Sequence, residues 1–391
     1  MSNALRREFL VSNKKQPTLF DIESIKPIEE NKICLLAFAN VEGLGFATIT
    51  KLFDIYRGDL YQAWRADFVE LLFHLKQTKV PNPQNIIDYI SINADALMQK
   101  AREHYGYLKN RNISILFRGN NDYPRSLEAL PTAPAWIFVE GDISLLVDPG
   151  IVAVVGTRYP TRNGLEAAKK LSTFLVKNGY IILSGLAEGI DAVGHQASVD
   201  HGAKTIAVLG HGIDVVFPAG TSGLRRKIVE TGGAIVSEYL PRDSYNRERF
   251  VKRNRIQAAL SKAVAIVEGK SKSGTAHTVR FARQLRRSLF GVRLLGAENI
   301  PEQELLNELI NNNEPVFDLN SPTVYDQLGE FLGNITGIRI DTKKETPRLF
   351  SGLIEEIRRI DKDNNATDED LAWLVQQIEK YRQHRGKKDV D

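Results

Sequence analysis

Cysteine occurs once in the 391 residues, at Cys34 within the apolar run ICLLAFA. A single thiol makes no internal disulfide and no zinc cluster, so the expected setting is a reducing cytoplasm. No electropositive neighbourhood surrounds Cys34 in the sequence, so it reads as a small core residue rather than a reactive thiol. Long apolar runs are missing too. None approaches the about 18 residues that a membrane span needs, and the opening MSNALRREFLVSNKKQ lacks the continuous apolar centre of a secretory signal. No membrane partner is expected. Charge of one sign is scarce: the net +4 is too mild by itself to argue for nucleic acid. A glycine-rich dinucleotide fingerprint is also lacking. In VAVVGTRYPTRNG, Gly156 and Gly164 stand alone with Arg158 between them, which argues against a nicotinamide cofactor. No cofactor is expected.

What is present fits an ordinary globular protein of several domains, with 42% hydrophobic and 26% charged residues. The basic residues concentrate mid-chain, in GLRRK (223–227), RERFVKRNR (247–255) and VRFARQLRR (279–287), which predicts a positive face there. Residues 1–30 lack periodicity and read as a loosely ordered arm. Residues 31–110 read as a helical domain, in which VEGLGFATITKLFDIYRGDLYQAW resembles a helix-hairpin-helix with its turn at Gly43 and Gly45. Glu42 beside that turn would repel a phosphate, so a packing role is favoured over DNA contact. From about Ile113 the pattern changes to short apolar strands: ISILF, AWIFV, IVAVV, YIIL, TIAVL, AIVS, AVAIV and SLFGV, with amphipathic helices between most of them. Such runs belong to strands buried on both faces, so 111–320 reads as an α/β, extended Rossmann-like domain with a mostly parallel sheet flanked by helices. Thr161 or Asn163 is expected to cap a helix that Gly179 ends. Residues 321–391 read as a charged helical segment in which Thr367 caps a helix with Leu371, Leu374 and Ile378 on one face.

In a parallel sheet, ligands bind beyond the carboxyl ends of the strands. Small residues recur there: Gly156, Thr157 and Arg158 after one strand, Ser184 and Gly185 after the next, and Gly210 after the third. Ser237 and Glu238 follow a further strand, and Glu268, Ser273, Gly274 and Thr275 follow another. Short side chains let backbone N–H groups approach an anion, and helix N-termini favour negative charge. Together these loops form a crevice suited to an anionic ligand. His195 invites a metal reading, but no Cys/His cluster supports one, and it is expected to donate a hydrogen bond inside the fold. Asp191 falls in the first turn of a helix and is expected to order it. Glu268 either binds a ribose hydroxyl or caps a loop. Arg280, Arg283 and Arg287 share a helical face by spacing, which suits either a solvated surface or a track along DNA.

YPRSLEALPTAPAWIFVEGD, VAVVGTR, LSGLAEGIDAVGHQAS, GAKTIAVLGHGIDVVFP, AIVSEY, FVKRNRIQAALS and SGTAHT follow one another in the order and spacing of the DprA/Smf family of DNA-processing proteins. The resemblance covers roughly 121–291, and the helical region before it looks like that family's N-terminal domain. It implies a non-catalytic binder of single-stranded DNA that works as a homodimer and helps load a RecA-like recombinase. By motif, Arg158 is the arginine of the Gly-x-Arg loop, which can grip phosphate bidentately; the alternative is a structural arginine paired with Glu188 or Glu238. Arg253, Asn254 and Arg255 form the Arg-Asn-Arg motif with Lys252 beside it, Phe250 is the preceding aromatic, and Ser273-Gly274 is the Ser-Gly turn. Arg253 and Arg255 sit two apart, so they cannot point the same way on a helix, and one is expected at the ligand with the other in an internal pair. Stacking on Phe250 or Tyr245 would add to phosphate neutralisation.

The sequence also departs from the family. Glu188 stands where arginine is common, Ala219 and Thr221 replace a lysine and an asparagine, GVRLL replaces a Pro-Gly, and no winged helix is evident. These departures favour a second reading: a regulatory or antitoxin component of a phage-defence pair that senses nucleic acid or nucleotide and restrains a partner protein. A third, a nucleotide phosphoribohydrolase, requires a PGGxGTxxE motif. Here Ser271 and Lys272 replace the glycines and Thr278 the glutamate, leaving no general acid or base.

Overall fold

The computed structural model describes residues 19–294, 300–321 and 323–338, with side chains from residue 28 onward. The helix expected around Leu371, Leu374 and Ile378 lies outside these residues, as does the first part of the arm. The chain divides into two compact units, one formed by the N-terminal region through Tyr123 with 134–140 and 238–241, the other by the remainder.

The first unit holds α1 (Leu19–Ala39), α2 (Phe46–Ile55), α3 (Leu60–Arg65), α4 (Phe68–Thr78), α5 (Pro83–Asn110) and β1 (Ile113–Phe117). Helix thus begins at Leu19, so residues 19–30 belong to α1 rather than to a loose arm. Asp59 and Asp67 cap α3 and α4, their carboxylates accepting from the first free N–H groups. The expected face of α2, Ile49, Leu52 and Phe53, is buried. Gly43 takes a φ of +86° in the preceding turn, a conformation that glycine reaches without strain, and it lies against Ile86. The hairpin is therefore seated in the helical core. Cys34 is fully buried, and desolvation pushes its thiol up to about 12, which leaves it inert. β1 pairs antiparallel with Trp136–Glu140 of the next strand, setting Phe117 opposite Trp136. Phe53 stacks on Phe117 at 5.6 Å.

The second unit takes in α6 (Arg125–Glu128), and strand β2 (Trp136–Gly141) leads back into it. Then follow β3 (Ile151–Val155), α7 (Arg162–Lys177), β4 (Ile181–Ser184), α8 (Ile190–Asp200), β5 (Thr205–Val208), α9 (Ser222–Glu230) and β6 (Ala234–Ser237). After these come α10 (Arg247–Leu260), β7 (Ala263–Ile266), α11 (Gly274–Gln284), β8 (Ser288–Arg293), α12 (Glu304–Asn311), β9 (Val316–Asp318) and α13 (Val324–Thr336). Strands β3 to β9 are all parallel, in the order β6-β5-β4-β3-β7-β8-β9. Every residue of β3 to β7 is buried, as continuous Val/Ile/Ala runs require when helices cover both faces. Thr161 caps α7, and Gly179 follows its end with φ +79°. Leu328 and Leu332 of α13 join the core around β3 and β8, so this core extends beyond residue 320.

The chain runs outward from β3 through β6, then returns to lay β7 against the other side of β3. That reversal is a topological switch point, and the crevice it opens lies beyond the carboxyl ends of β3 and β7.

Candidate nucleic-acid interface

The loops at the switch point are tied to one another before they meet any ligand. The Thr157 N–H donates to the Glu268 carbonyl at 2.9 Å, and the Ile190 N–H donates to the Thr157 carbonyl at 3.2 Å. Gly156 backs onto Ile190 so closely that an added Cβ would come within 2.5 Å of it. Glu268 is fully buried and accepts from the Thr161 N–H at 2.9 Å and the Thr161 hydroxyl at 2.5 Å. Of the two roles open to Glu268, capping the loop is the one its geometry fills. Gly164 leaves the space that this carboxylate occupies.

The Arg-Asn-Arg motif fastens this frame from beneath. Arg253 is 4% exposed, donates to the Val208 carbonyl at the end of β5, and lies flat on Gly185, where no side chain could fit. Its charge faces Asp191, whose carboxylate accepts from the Gly185 N–H at 3.0 Å. Burial pushes the Asp191 carboxyl above the usual range, while Arg253 and the loop N–H groups oppose that shift. Asp191 thus orders the loop before its helix as well as sitting in the first turn. The Asn254 side-chain amide donates to the Gly274 carbonyl at 3.0 Å, and the Arg255 guanidinium donates to the Thr132 and Lys252 carbonyls at 3.1 and 3.0 Å. The expectation that Arg253 meets ligand is therefore corrected. The motif holds the strand exits in place, because α10 turns these positions inward or onto neighbouring carbonyls.

Several other expected contacts are likewise structural. Ser184 is buried with its hydroxyl on the Val154 carbonyl at 2.6 Å, and Thr275 is 7% exposed. Lys252 is exposed but pairs with Glu248 at 2.6 Å. Arg283 is held by Glu308 at 2.6 Å and Glu314 at 2.7 Å, and half-buried Arg287 donates to the Ala259 carbonyl at 2.7 Å. The shared face of Arg280, Arg283 and Arg287 therefore keeps only Arg280 exposed, beside His277 at 2.7 Å. Ser273 caps α11, and Gly274 offers open backbone at its start.

The residues left facing outward make a different arrangement. Tyr245 stacks on Phe217 with centroids 3.6 Å apart and planes 19° from parallel, and Phe250 lies 5.7 Å from Phe217. Phe250 seats against Gly210, where a Cβ would come within 2.5 Å of its ring. The Arg158 guanidinium lies 5.3 Å above the Phe250 ring and makes no ion pair among the described residues. Beneath the platform, buried His211 sets its ring nitrogens 3.0 Å from the Gly212 and Phe217 carbonyls, and desolvation lowers its pKa. A charged, planar group over stacked rings can grip a phosphate while the rings take a base.

The family model described as DNA recombination-mediator protein A matches residues 114–318. The chain belongs to this DprA/Smf family. Protein Smf of Synechocystis is 33% identical over 72% of this chain and 69% of its own length. DprA of Bacillus subtilis is 31% identical over 51% of this chain and 70% of its own. Among solved structures, DprA of Streptococcus pneumoniae superposes with a TM-score of 0.54 at 25% identity, covering 73% of this chain and 94% of that one. DprA of Helicobacter pylori, solved for its mode of binding single-stranded DNA, gives 0.50 at 27%, covering 57% and 97%.

Two features of this DprA/Smf crevice escaped sequence reasoning. Phe217 belongs to the platform although it lies 28 positions before Tyr245, and only its place in a Phe-Pro turn at a strand exit hinted at it. The second is the depth of the polar network. His195 is fully buried with Nδ1 2.8 Å from the Thr205 hydroxyl, which itself donates to the Ile182 carbonyl at 2.6 Å. Nδ1 is therefore the donor, as expected for a histidine serving the fold. Burial and the Arg253 charge lower the His195 pKa from 6.5 to about 3. The unfolded chain binds this proton first, so stability falls as pH drops below 6.5. The loss amounts to about 2 kcal/mol at pH 5. Urea unfolding between pH 5 and 7 should show this slope, and His195→Gln should lack it.

Proposed function

We propose that the crevice binds single-stranded DNA without catalysing a reaction, as a DprA-type protein of DNA processing and recombination. The observation that carries this reading is Arg158 poised over the Phe250 ring, beside the stacked Phe217 and Tyr245, with no ion pair to a carboxylate among the described residues. Unpaired bases bring both things that such a surface takes: phosphate charge and open π faces. A duplex offers the charge but keeps its bases stacked. Two groups of the kind that hydrolysis needs are otherwise engaged: the Glu268 carboxylate is held by Thr161, and His195 is buried. The single-stranded DNA bound by the Helicobacter relative supports the same assignment. The reading extends to a cytoplasmic homodimer that hands its strand to a RecA-like recombinase.

The deciding measurement is a salt titration of oligothymidylate binding. Arg158→Ala should weaken binding about tenfold and flatten the plot of log affinity against log salt by about 0.7, the value of one phosphate contact on a single strand. Unchanged affinity and slope would remove Arg158 from the interface. Tighter binding to duplex than to single strand would refute the reading as a whole.

A further inference from the structure

A carboxylate stands at the mouth of this cleft, where a site built only for phosphate would have none. Glu188 is exposed and makes no ion pair among the described residues. Its loop is pinned on both sides. Next to it, Gly189 packs so closely on the Thr157 and Arg158 carbonyls that a Cβ there would lie 2.5 and 2.7 Å from them. On the other side the Thr221 hydroxyl donates to the Leu186 carbonyl at 3.0 Å. Glu188 is thus held by its backbone between the loop that carries Arg158 and the turn that follows Phe217. Its Oε1 lies over Gly220, where an added Cβ would come within 2.7 Å of it, so only a residue without a side chain leaves the carboxylate this position.

We propose that Glu188 reads the base stacked on the Phe217–Tyr245–Phe250 platform, and that the preferred ligand is a guanine-containing single strand. The proposal rests on the single-strand reading above. A carboxylate accepts hydrogen bonds and donates none. Guanine alone offers two adjacent donors, N1–H and the N2 amino group, matched to both carboxylate oxygens. Adenine and cytosine each present one amino group on this edge. Thymine presents N3–H flanked by two carbonyl oxygens that face the carboxylate unfavourably. The same charge repels phosphate, so the backbone passes on the Arg158 side and the base edge turns toward Glu188. Bidentate base contacts discriminate by about tenfold or more, and the Watson–Crick edge is open to reading only in an unpaired strand.

Fluorescence anisotropy with the full chain tests this, using an alternating thymidine–deoxyguanosine oligonucleotide, oligothymidylate of equal length, and an alternating thymidine–deoxyinosine strand. The guanine strand should bind about tenfold tighter than oligothymidylate. Inosine, which keeps N1–H but lacks the amino group, should fall between them. Glu188→Gln and Glu188→Ala should bring the affinities together by weakening the guanine strand relative to oligothymidylate. Equal affinities in the unaltered protein, or a guanine preference that survives both substitutions, would overturn the proposal while leaving single-strand binding standing. Absence of binding to every strand would overturn both.

Discussion

Arg253→Ala should unfold far more easily than the unaltered protein, with a loss of about 3–5 kcal/mol and a midpoint lowered by roughly 10 °C. The guanidinium is 4% exposed and touches the Val208 carbonyl, Gly185 and the field of Asp191. Truncation removes the positive partner of a carboxylate that is itself only 7% exposed. Burial already pushes that carboxyl up, and without Arg253 the opposing influence is lost. Asp191 must then carry an uncompensated charge or take up a proton, and either outcome costs stability at neutral pH. Arg253→Lys keeps the charge but cannot lie flat on Gly185, so it should recover only part of the loss. A double-mutant cycle with Asp191→Asn separates the pair from its surroundings. The combined variant should lose less than the two single losses added together, because each single change strands the other group. Denaturant unfolding followed by circular dichroism reads all of these values. Full stability with weakened DNA binding would instead return Arg253 to the ligand face.

That outcome marks where the sequence could and could not be read. Strands β3 to β7 were legible because consecutive Val, Ile and Ala residues have only one economical place, a sheet covered on both sides. The cap at Thr161 and the stop at Gly179 were legible because a helix end needs an acceptor at its start and accommodates a left-handed residue after its finish. The short β9 escaped because Val316–Asp318 is too brief for a pattern. The rim of the crevice was harder. Spacing shows that Arg253 and Arg255 diverge, but not which face of α10 looks inward. The answer depends on the carbonyl of Val208 and the bare surface of Gly185, which other segments of the chain supply. The two readings of Arg283 stayed open for the same reason, since the glutamates that hold it lie 25 and 31 residues further on. Arg158 follows its strand directly, and its place at the mouth of the crevice could be read from that alone.

Tyr245→Ala and Phe250→Leu should together weaken single-stranded DNA binding more than any other change at the rim. Stacking of a base on an aromatic side chain contributes about 1–3 kcal/mol, so each substitution should cost about tenfold or more in affinity. The two positions differ in their effect on the fold. Tyr245 is 47% exposed, and its truncation should leave the melting temperature nearly unchanged. Phe250 fills the space beside Gly210, so leucine rather than alanine is the substitution that keeps an apolar body there. Because Tyr245 and Phe250 both pack on Phe217, their losses should be non-additive in the combined variant. Salt dependence then separates stacking from charge. Neither substitution removes a phosphate contact, so the slope of log affinity against log salt should keep its value while the whole line drops. A slope that fell with Phe250→Leu would mean that the ring acts by placing Arg158 over the strand. An unchanged affinity in both variants would show that unpaired bases do not rest on these rings.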